Sequence, residues 1–314
     1  MELRVALYRA KSWLRHQLTA WNTGGEGVHS PYLFEWVRMV MMDKNAYYIW
    51  GEIERCREKM LRDERVLEFV DYGSGKLKGE NGKLKGENGK LKGENGKLKG
   101  ENGKLKGENG ERRRVCDIAK GSLAKRKYAQ MLSRLVNWLG SPLLTSPSRG
   151  GIGDETLEDR KGLTIVELGT SLGVTTAYIA AMDSRNRVVT FEGCEAVANI
   201  AKENWKALNI NNIECRVGEI DSEQLTRDIE HLDVAFIDAN HTYVSTCEYF
   251  DVLAGKVREK SVIVVDDIHY SEEMEKAWKA IRADERVTST IDLYQMGLVF
   301  FDKHYWKRHY TMRL

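Results

Sequence analysis

The stretch LTIVELGTSLGVTTAYIAAM, residues 163–182, joins an apolar run to a helix-like segment through a turn that contains two glycines. A continuous apolar run is typical of a buried parallel strand. Glycines at this spacing let the backbone turn sharply and let a ligand approach closely, and the helix that follows begins with free N–H groups. The stretch therefore predicts a ligand-binding strand–turn–helix unit. Its candidate contacts are Glu167, Gly169, Thr170, Ser171 and Gly173.

Four more apolar runs follow this unit, and each ends in polar residues. The run NRVVTFEGCE ends at Glu192, where an acidic side chain can accept hydrogen bonds from both hydroxyls of a ribose. The later runs end at Gly218 and Glu219, at Asp238, and at Asp266 and Asp267. TSTIDLY and LVFFDK then predict an antiparallel hairpin at the edge of the sheet.

The order of these elements resembles class I methyltransferases that use S-adenosylmethionine, from Leu163 to Lys303. The resemblance implies an α/β fold: a Rossmann-like class I methyltransferase sheet with an antiparallel C-terminal hairpin, plus an N-terminal helical cap. NAD-type Rossmann domains characteristically lack that hairpin, and their Gly-x-Gly-x-x-Gly fingerprint is absent from the turn. The resemblance also implies S-adenosylmethionine as cofactor, places its adenine at Gly218 and Glu219, and adds Asp238 as a further cofactor contact.

Within that class, the chain resembles bacterial O-methyltransferases related to the catechol type. Those proteins hold a divalent metal with an Asp after strand four and an Asp-Asn pair after strand five. The matching positions are Asp238, Asp266 and Asp267, so the last departs from the family's Asn. Three carboxylates suit Mg²⁺ as hard oxygen ligands. Because metal-free relatives also keep acids at these strand ends, Mg²⁺ and a metal-free site are both left open.

The resemblance also implies which residues carry the chemistry. The family's catalytic Lys, three residues after the first metal Asp, aligns with His241. A neutral His can accept a hydroxyl proton near pH 7, so the role of general base could survive the replacement. The alternative is a residue at a helix start that bonds to the backbone. The catalytic candidates are therefore His241 and Asp238, with His269 in reserve.

Five identical copies of GKLKGEN fill residues 75–109 and begin at the last glycine of FVDYGSG, residues 69–75, whose pattern is similar to that of the glycine turn. Each copy has one apolar residue and two glycines. Because each Gly inside a helix lowers helix stability by about 1 kcal/mol relative to Ala, the repeat does not predict a coiled coil. Short strands alternating with Asn-Gly turns are the ordered alternative, but one Leu per unit buries too little apolar surface to offset the ordering entropy. We predict a disordered tandem-repeat insertion over residues 75–110.

Composition argues against several other classes of protein. The repeats carry ten Lys and five Glu, which leaves 39 basic against 42 acidic residues elsewhere and no electrostatic case for nucleic-acid binding. Five cysteines without a CxxC pair suit a reducing, cytoplasmic compartment. Charges spread through the apolar residues of MELRVALYRAKSWLRHQL do not predict a signal peptide, and no apolar run predicts a membrane span. The expected partner is a small-molecule substrate, and a homodimer is compatible with the sequence.

Four regions are predicted: a helical accessory region at 1–74, the repeat at 75–110, a helix and linker at 111–162, and the methyltransferase domain at 163–314. The stretches EWVRMVMM and IERCREKMLRDERVLEF are expected to be helical. The expected activity is methylation of oxygen on a small molecule, with the N-terminal helices capping the site. The alternatives are methylation of nitrogen or protein, and a catalytically silent scaffold that binds the cofactor.

Overall fold

The computed structural model describes residues 2–20, 25, 27–69, 98–99, 105–106, 111–141, 162–303 and 307–314. Within those ranges, no helix is both long and apolar enough to cross a bilayer. Three segments lie wholly or mostly outside the described residues: DYGSG at residues 71–75, the repeat, and the proline-containing linker at 141–162.

The regular elements that the structure describes between residues 2 and 62 are all helices. They are α1 (Glu2–Thr19), α2 (Pro31–Trp36) with a π-helical turn over Val37–Met41, and α3 (Tyr48–Arg62). The hydroxyl of Ser30 accepts a hydrogen bond from the N–H of Leu33 and caps α2. The helix predicted over residues 53–69 is wrong at its end, because residues 66–69 pair with a later segment as a strand.

A hairpin stem holds the two ends of the repeat together. Strand β1 (Val66–Phe69) precedes the repeat and β4 (Glu111–Arg114) follows it, and the two pair antiparallel. Within the repeat, β2 (Leu98–Lys99) and β3 (Leu105–Lys106) also pair antiparallel, which is the strand pairing of the ordered alternative. The repeat therefore leaves and re-enters the fold through neighbouring strands.

Two helices, α4 (Val115–Ser122) and α5 (Arg126–Leu139), follow the stem. The sequence predicts one apolar face on α5, and the structure buries every residue of that face. The buried residues are Tyr128, Met131, Leu132, Leu135 and Leu139.

The main sheet contains eight strands. They are β5 (Thr164–Leu168), β6 (Arg187–Glu192), β7 (Ile213–Val217), β8 (Leu232–Ile237), β9 (Val257–Asp266), β10 (Ser289–Asp292), β11 (Met296–Phe300) and β12 (Arg308–Thr311). Their order is β12-β10-β11-β9-β8-β5-β6-β7, and β5 to β9 run parallel. The strand order reverses between β5 and β8, and the crevice at the carboxyl ends beside such a reversal is where open α/β sheets bind ligands.

The predicted hairpin is present as β10 and β11, with β11 antiparallel to β9. Its position at the sheet edge is wrong, because β12 pairs parallel to β10 on the outside. The sequence of β12, RHYT, is polar and half exposed, so it has no apolar run to mark it as a strand.

Helices cover both faces of the sheet. They are α6 (Val174–Ala180), α7 (Glu195–Ala207), α8 (Ser222–Thr226), α9 (Tyr243–Ala254) and α10 (Glu272–Ala283), together with the N-terminal helices. Alternate strand residues point to opposite faces, so Ile165 and Phe236 pack in one apolar cluster and Val166 and Ile237 in another. Trp36 and Trp50 of the N-terminal region belong to the first cluster. The N-terminal helices are therefore part of the core.

Candidate active site

The turn between β5 and α6 is held by close backbone contacts. Gly169 has φ +98° and packs against the main chain of Asp238, while Gly173 has φ +73° and packs against the indole of Trp205. The indole N–H of Trp205 donates to the carbonyl oxygen of Gly173 at 2.8 Å. A Cβ at either glycine would overlap its neighbour, so the turn requires glycine at both positions.

Glu167 lies beneath this turn and is fully buried. Its Oε2 accepts hydrogen bonds from the hydroxyls of Thr176 at 2.5 Å and Thr190 at 2.7 Å. Burial raises the pKa of Glu167 to about 7, against the opposing effect of those two hydrogen bonds. Its other oxygen, Oε1, is buried and has no hydrogen-bond partner among the described residues. An unpartnered buried oxygen beside a glycine turn fits a site whose ligand brings a donor.

Glu192 stands at the tip of β6, as predicted. Its carboxylate accepts hydrogen bonds from the backbone N–H of Ser171 at 2.8 Å and of Cys194 at 2.9 Å. These bonds tie the strand tip to the glycine turn. Gly218 has φ +131° and would meet nothing with an added Cβ, and Glu219 is exposed. That Glu192 binds the ribose and residues 218–219 bind the adenine remains a prediction.

The accessory region supports the turn from its other side. Leu172 is fully buried in a cluster with Met60, Val115 and Ile118. The hydroxyls of Ser122 and Ser171 lie 2.6 Å apart. The turn is therefore positioned by α3 and α4 as well as by the sheet, a contribution that no local sequence pattern indicates.

Three carboxylates meet at the ends of β8 and β9. Burial and the charges of Asp266 and Asp267 raise the pKa of Asp238. Burial and the charge of Asp267 raise the pKa of Asp266. The structure thus brings together the three acids that the sequence selected.

His241 joins this acidic cluster. Its Nε2 lies 3.5 Å from Oδ1 of Asp238, and its ring centre lies 5.9 Å from that of Tyr270. Burial lowers the pKa of His241, and the charge of Asp267 opposes that effect. His241 and Asp267 both have positive φ, as does Ser171 in the glycine turn. Such backbone strain costs about 1–3 kcal/mol per residue and concentrates at functional sites.

The metal prediction receives no support from this geometry. Among the residues that the structure describes, no group of three or more His, Cys, Asp or Glu side chains is arranged to hold a metal ion. The donor chemistry of Asp238, Asp266 and Asp267 suits Mg²⁺, but their arrangement does not, and we derive no catalytic step through a metal.

His269, the reserve candidate, belongs to a different group of residues. Its Nε2 lies 2.8 Å from Oδ2 of Asp292, whose Oδ1 is 3.3 Å from Nε2 of His16. Burial acts to raise the pKa of Asp292, but hydrogen bonds from His16 and His269 hold that pKa well below its ordinary value. Neither His16 nor Asp292 is predicted from the sequence, because they lie 276 residues apart and meet only in the folded chain.

A cavity of about 590 Å³ opens beside the acidic cluster. It lies between α1, the start of α5, the loop after β9 and the turn between β10 and β11. Asp267 and His269 line it, whereas Asp238, Asp266 and His241 are not among its lining residues. Asp267 therefore connects the acidic cluster to the cavity.

Comparisons with solved structures give several likenesses at low identity. The chain is similar to the O-methyltransferase from Bacillus cereus in complex with SAH, at 22% identity over 59% of this chain and 87% of that one, with a TM-score of 0.45. It is similar to the O-methyltransferase TomG from Streptomyces achromogenes, in complex with SAM, at 16% identity over 57% and 82%, with a TM-score of 0.44. It is also similar to SAH-bound methyltransferase PaMTH1 from Podospora anserina, at 13% identity over 59% and 81%, with a TM-score of 0.45.

No curated protein sequence matches the chain. Residues 166–268 match a family described as a methyltransferase domain. The match begins in β5, one residue before Glu167, and ends two residues after Asp266, so it spans the glycine turn, the tip of β6 and the acidic cluster. This match identifies residues 166–268, which include parallel strands β6 to β8 of the sheet, as a methyltransferase domain.

Proposed function

We propose that the protein transfers the methyl group of S-adenosylmethionine to an oxygen atom of a small molecule. The observation that carries this proposal is the contact between two halves of one site. Gly169 of the predicted cofactor turn packs against the backbone of Asp238, whose side chain lies beside His241. A cofactor turn and a group able to accept a proton therefore share one edge of the sheet.

The cofactor residues that we propose surround the turn. Glu167, Gly169, Thr170, Ser171 and Gly173 would hold the amino-acid part of S-adenosylmethionine, Glu192 its ribose, and Gly218 and Glu219 its adenine. The unpartnered Oε1 of Glu167 can accept a hydrogen bond from a donor on the ligand. When bound, the cofactor supplies an electrophilic methyl group on a sulfonium centre.

The protein's own part is alignment and removal of a proton. An acceptor hydroxyl beside the acidic cluster loses its proton to the imidazole of His241. The charge of Asp267, together with Asp238 at 3.5 Å, stabilises the imidazolium that forms. His269 is the second candidate base, since it lines the cavity and its Nε2 is held by Asp292.

Calorimetry with S-adenosylmethionine and S-adenosylhomocysteine tests the cofactor site. Glu192→Ala should weaken both affinities at least tenfold, because it removes the ribose acceptor and the tie to Ser171. Glu285→Ala, an exposed acid outside the site, is the matched control. No binding by the wild type, or equal binding by Glu192→Ala, would refute the assignment.

A screen with labelled cofactor against cell metabolites tests the reaction. We expect label on an oxygen atom of a small molecule, and at least a hundredfold loss of turnover in His241→Ala. Mg²⁺ and EDTA arms test the predicted metal. Binding without turnover would favour the silent scaffold, and label on nitrogen or protein would favour the other alternative.

A further inference from the structure

The cavity beside Asp267 carries an excess of positive charge. Four basic side chains line it: Arg9, Lys125, Lys127 and Arg313. Among the described residues that line it, Asp267 is the one acidic side chain. The basic side chains come from α1, the start of α5 and the C-terminal segment, so they surround the cavity from several elements.

Hydrogen bonds to main-chain oxygens hold most of these cations in place. The Nε of Arg9 donates to the carbonyl oxygen of Tyr270 at 3.3 Å, and its guanidinium lies 3.9 Å from the centre of the Tyr270 ring. The Nζ of Lys127 donates to the main-chain oxygen of Leu314 at 2.9 Å. The guanidinium of Arg313 donates to the carbonyl oxygen of Gln17. The carbonyl oxygens that hold Arg9 and Arg313 fix these two charges without neutralising them, whereas the oxygen that holds Lys127 belongs to Leu314, the last residue of the sequence.

The charges are also crowded. Burial and the nearby charge of Lys125 lower the pKa of Lys127. Elsewhere in the described chain, arginines commonly pair with side-chain carboxylates, as Arg15 does with Glu275 and Arg65 with Glu203. The charges of Arg9 and Lys125 act on Asp267, so one described side-chain carboxylate faces four cations. An anionic group in the cavity would add a second negative partner.

We propose that the methyl acceptor is a small molecule carrying both a hydroxyl group and an anionic carboxylate or phosphate. This inference rests on the proposed function. Asp267 is shared by the cavity and the acidic cluster, so a molecule in the cavity places one end at that cluster. The anionic end is then held by the basic side chains, which select acceptors by charge.

Two probes of nearly equal size separate charge from shape: 3,4-dihydroxybenzoate and its neutral amide, 3,4-dihydroxybenzamide. Calorimetry on the full chain, with and without S-adenosylhomocysteine, should show the benzoate binding at least tenfold more tightly than the amide. Because the interaction is between charges, 0.5 M salt should reduce that difference.

Variants then locate the preference. Lys125→Gln/Lys127→Gln should reduce the preference for the benzoate at least fivefold. Lys206→Gln/Lys276→Gln removes two exposed lysines outside the cavity and should leave the preference unchanged. Thermal unfolding of both double variants checks that the fold is retained. Equal affinity for the two probes, no binding of either, or an unchanged preference in Lys125→Gln/Lys127→Gln would each overturn the inference.

Labelled methyl transfer to the same probes separates this inference from the proposed function. If the benzoate binds preferentially but its hydroxyls are not methylated, the cavity prefers anions, but the anionic molecule that it binds is not the methyl acceptor, and the inference is overturned. Equal methylation of both probes with equal affinity would keep O-methylation and reject the anionic acceptor.

Discussion

The main-chain oxygen of Asp238 lies so close to Gly169 that a Cβ on that glycine would stand 2.1 Å from it. This contact joins the end of β8 to the turn after β5, the two neighbours at which the strand order reverses. The backbone of the acidic cluster and the backbone of the predicted cofactor turn therefore cannot move independently.

Gly169→Ala should separate these two strand ends. The added methyl group overlaps backbone, which cannot rotate away, and φ +98° is itself unfavourable for alanine by about 1–3 kcal/mol. We expect a lower free energy of unfolding and at least a tenfold loss of affinity for S-adenosylhomocysteine, measured by urea unfolding and calorimetry. Gly121→Ala, where an added Cβ meets nothing, is the control.

Glu167→Gln should change how stability depends on pH. The pKa of Glu167 is about 7 in the folded protein and about 4.5 ordinarily, so the folded state holds the proton more tightly than the unfolded chain. The stability from this group is present below about pH 4.5 and is lost as pH rises through 7. Urea unfolding of the cofactor-free protein from pH 5 to 8 should therefore show the wild type losing stability relative to Glu167→Gln. If the unfolding free energies of the wild type and Glu167→Gln changed with pH in parallel, the raised pKa of Glu167 would be contradicted.

Glu275→Gln should show the opposite pH dependence. Glu275 accepts hydrogen bonds from Tyr8 at 2.5 Å and Arg15 at 2.7 Å, which fasten α1 to α10. Burial acts to raise the pKa of Glu275, but these bonds and one from Lys279 lower it to about 2. Its stabilisation is therefore complete above about pH 4.5 and is lost as pH falls towards 2.

We expect Glu275→Gln to lower the free energy of unfolding by about 1–3 kcal/mol at pH 7. The difference from wild type should shrink to less than half at pH 3. Urea unfolding monitored by tryptophan fluorescence measures both values, and Glu272→Gln, an exposed neighbour on α10, serves as the control. A difference that stays constant with pH would show that the ionised carboxylate is not what fastens α1.

Deletion of residues 75–109 should leave affinity for S-adenosylhomocysteine within twofold of wild type. Residues 70–74 and Gly110 still connect Phe69 to Glu111, so the stem can form. Leu67→Asp is the contrasting variant, because Leu67 packs against the cluster that contains Leu172, and it should lower both stability and affinity. Loss of the cofactor site in the deletion variant would contradict our assignment of the repeat.

The sequence predicts much of the sheet because its signals are local. The runs that form β5, β6, β8 and the second half of β9 are mostly apolar, and most of their residues are buried on both faces of the sheet. Each of these strands ends at or just before a residue that the sequence had selected, such as Glu192 and Asp238. Residues that follow neighbouring parallel strands meet at one edge, so the acidic cluster could be anticipated without a structure.

The missed features depend on contacts distant in sequence. Strands β1 and β4 are short, and the repeat separates them, so neither predicts its partner. The bond between His16 and Asp292 joins the first helix to the sheet, and no periodicity in either segment indicates it. The cavity beside Asp267 is missed for the same reason, since α1 forms one of its walls.

The packing of Trp36 and Trp50 against the sheet limits which part of this chain can be transferred to another gene by recombination. The side chains of one sheet face are buried only in the presence of helices that precede the repeat in the chain. A recombination event that carried residues 163–314 alone into another gene would expose that face as a large apolar surface, which promotes aggregation. The smallest portion of this protein that can be exchanged as a working part therefore includes the helices on both sides of the repeat.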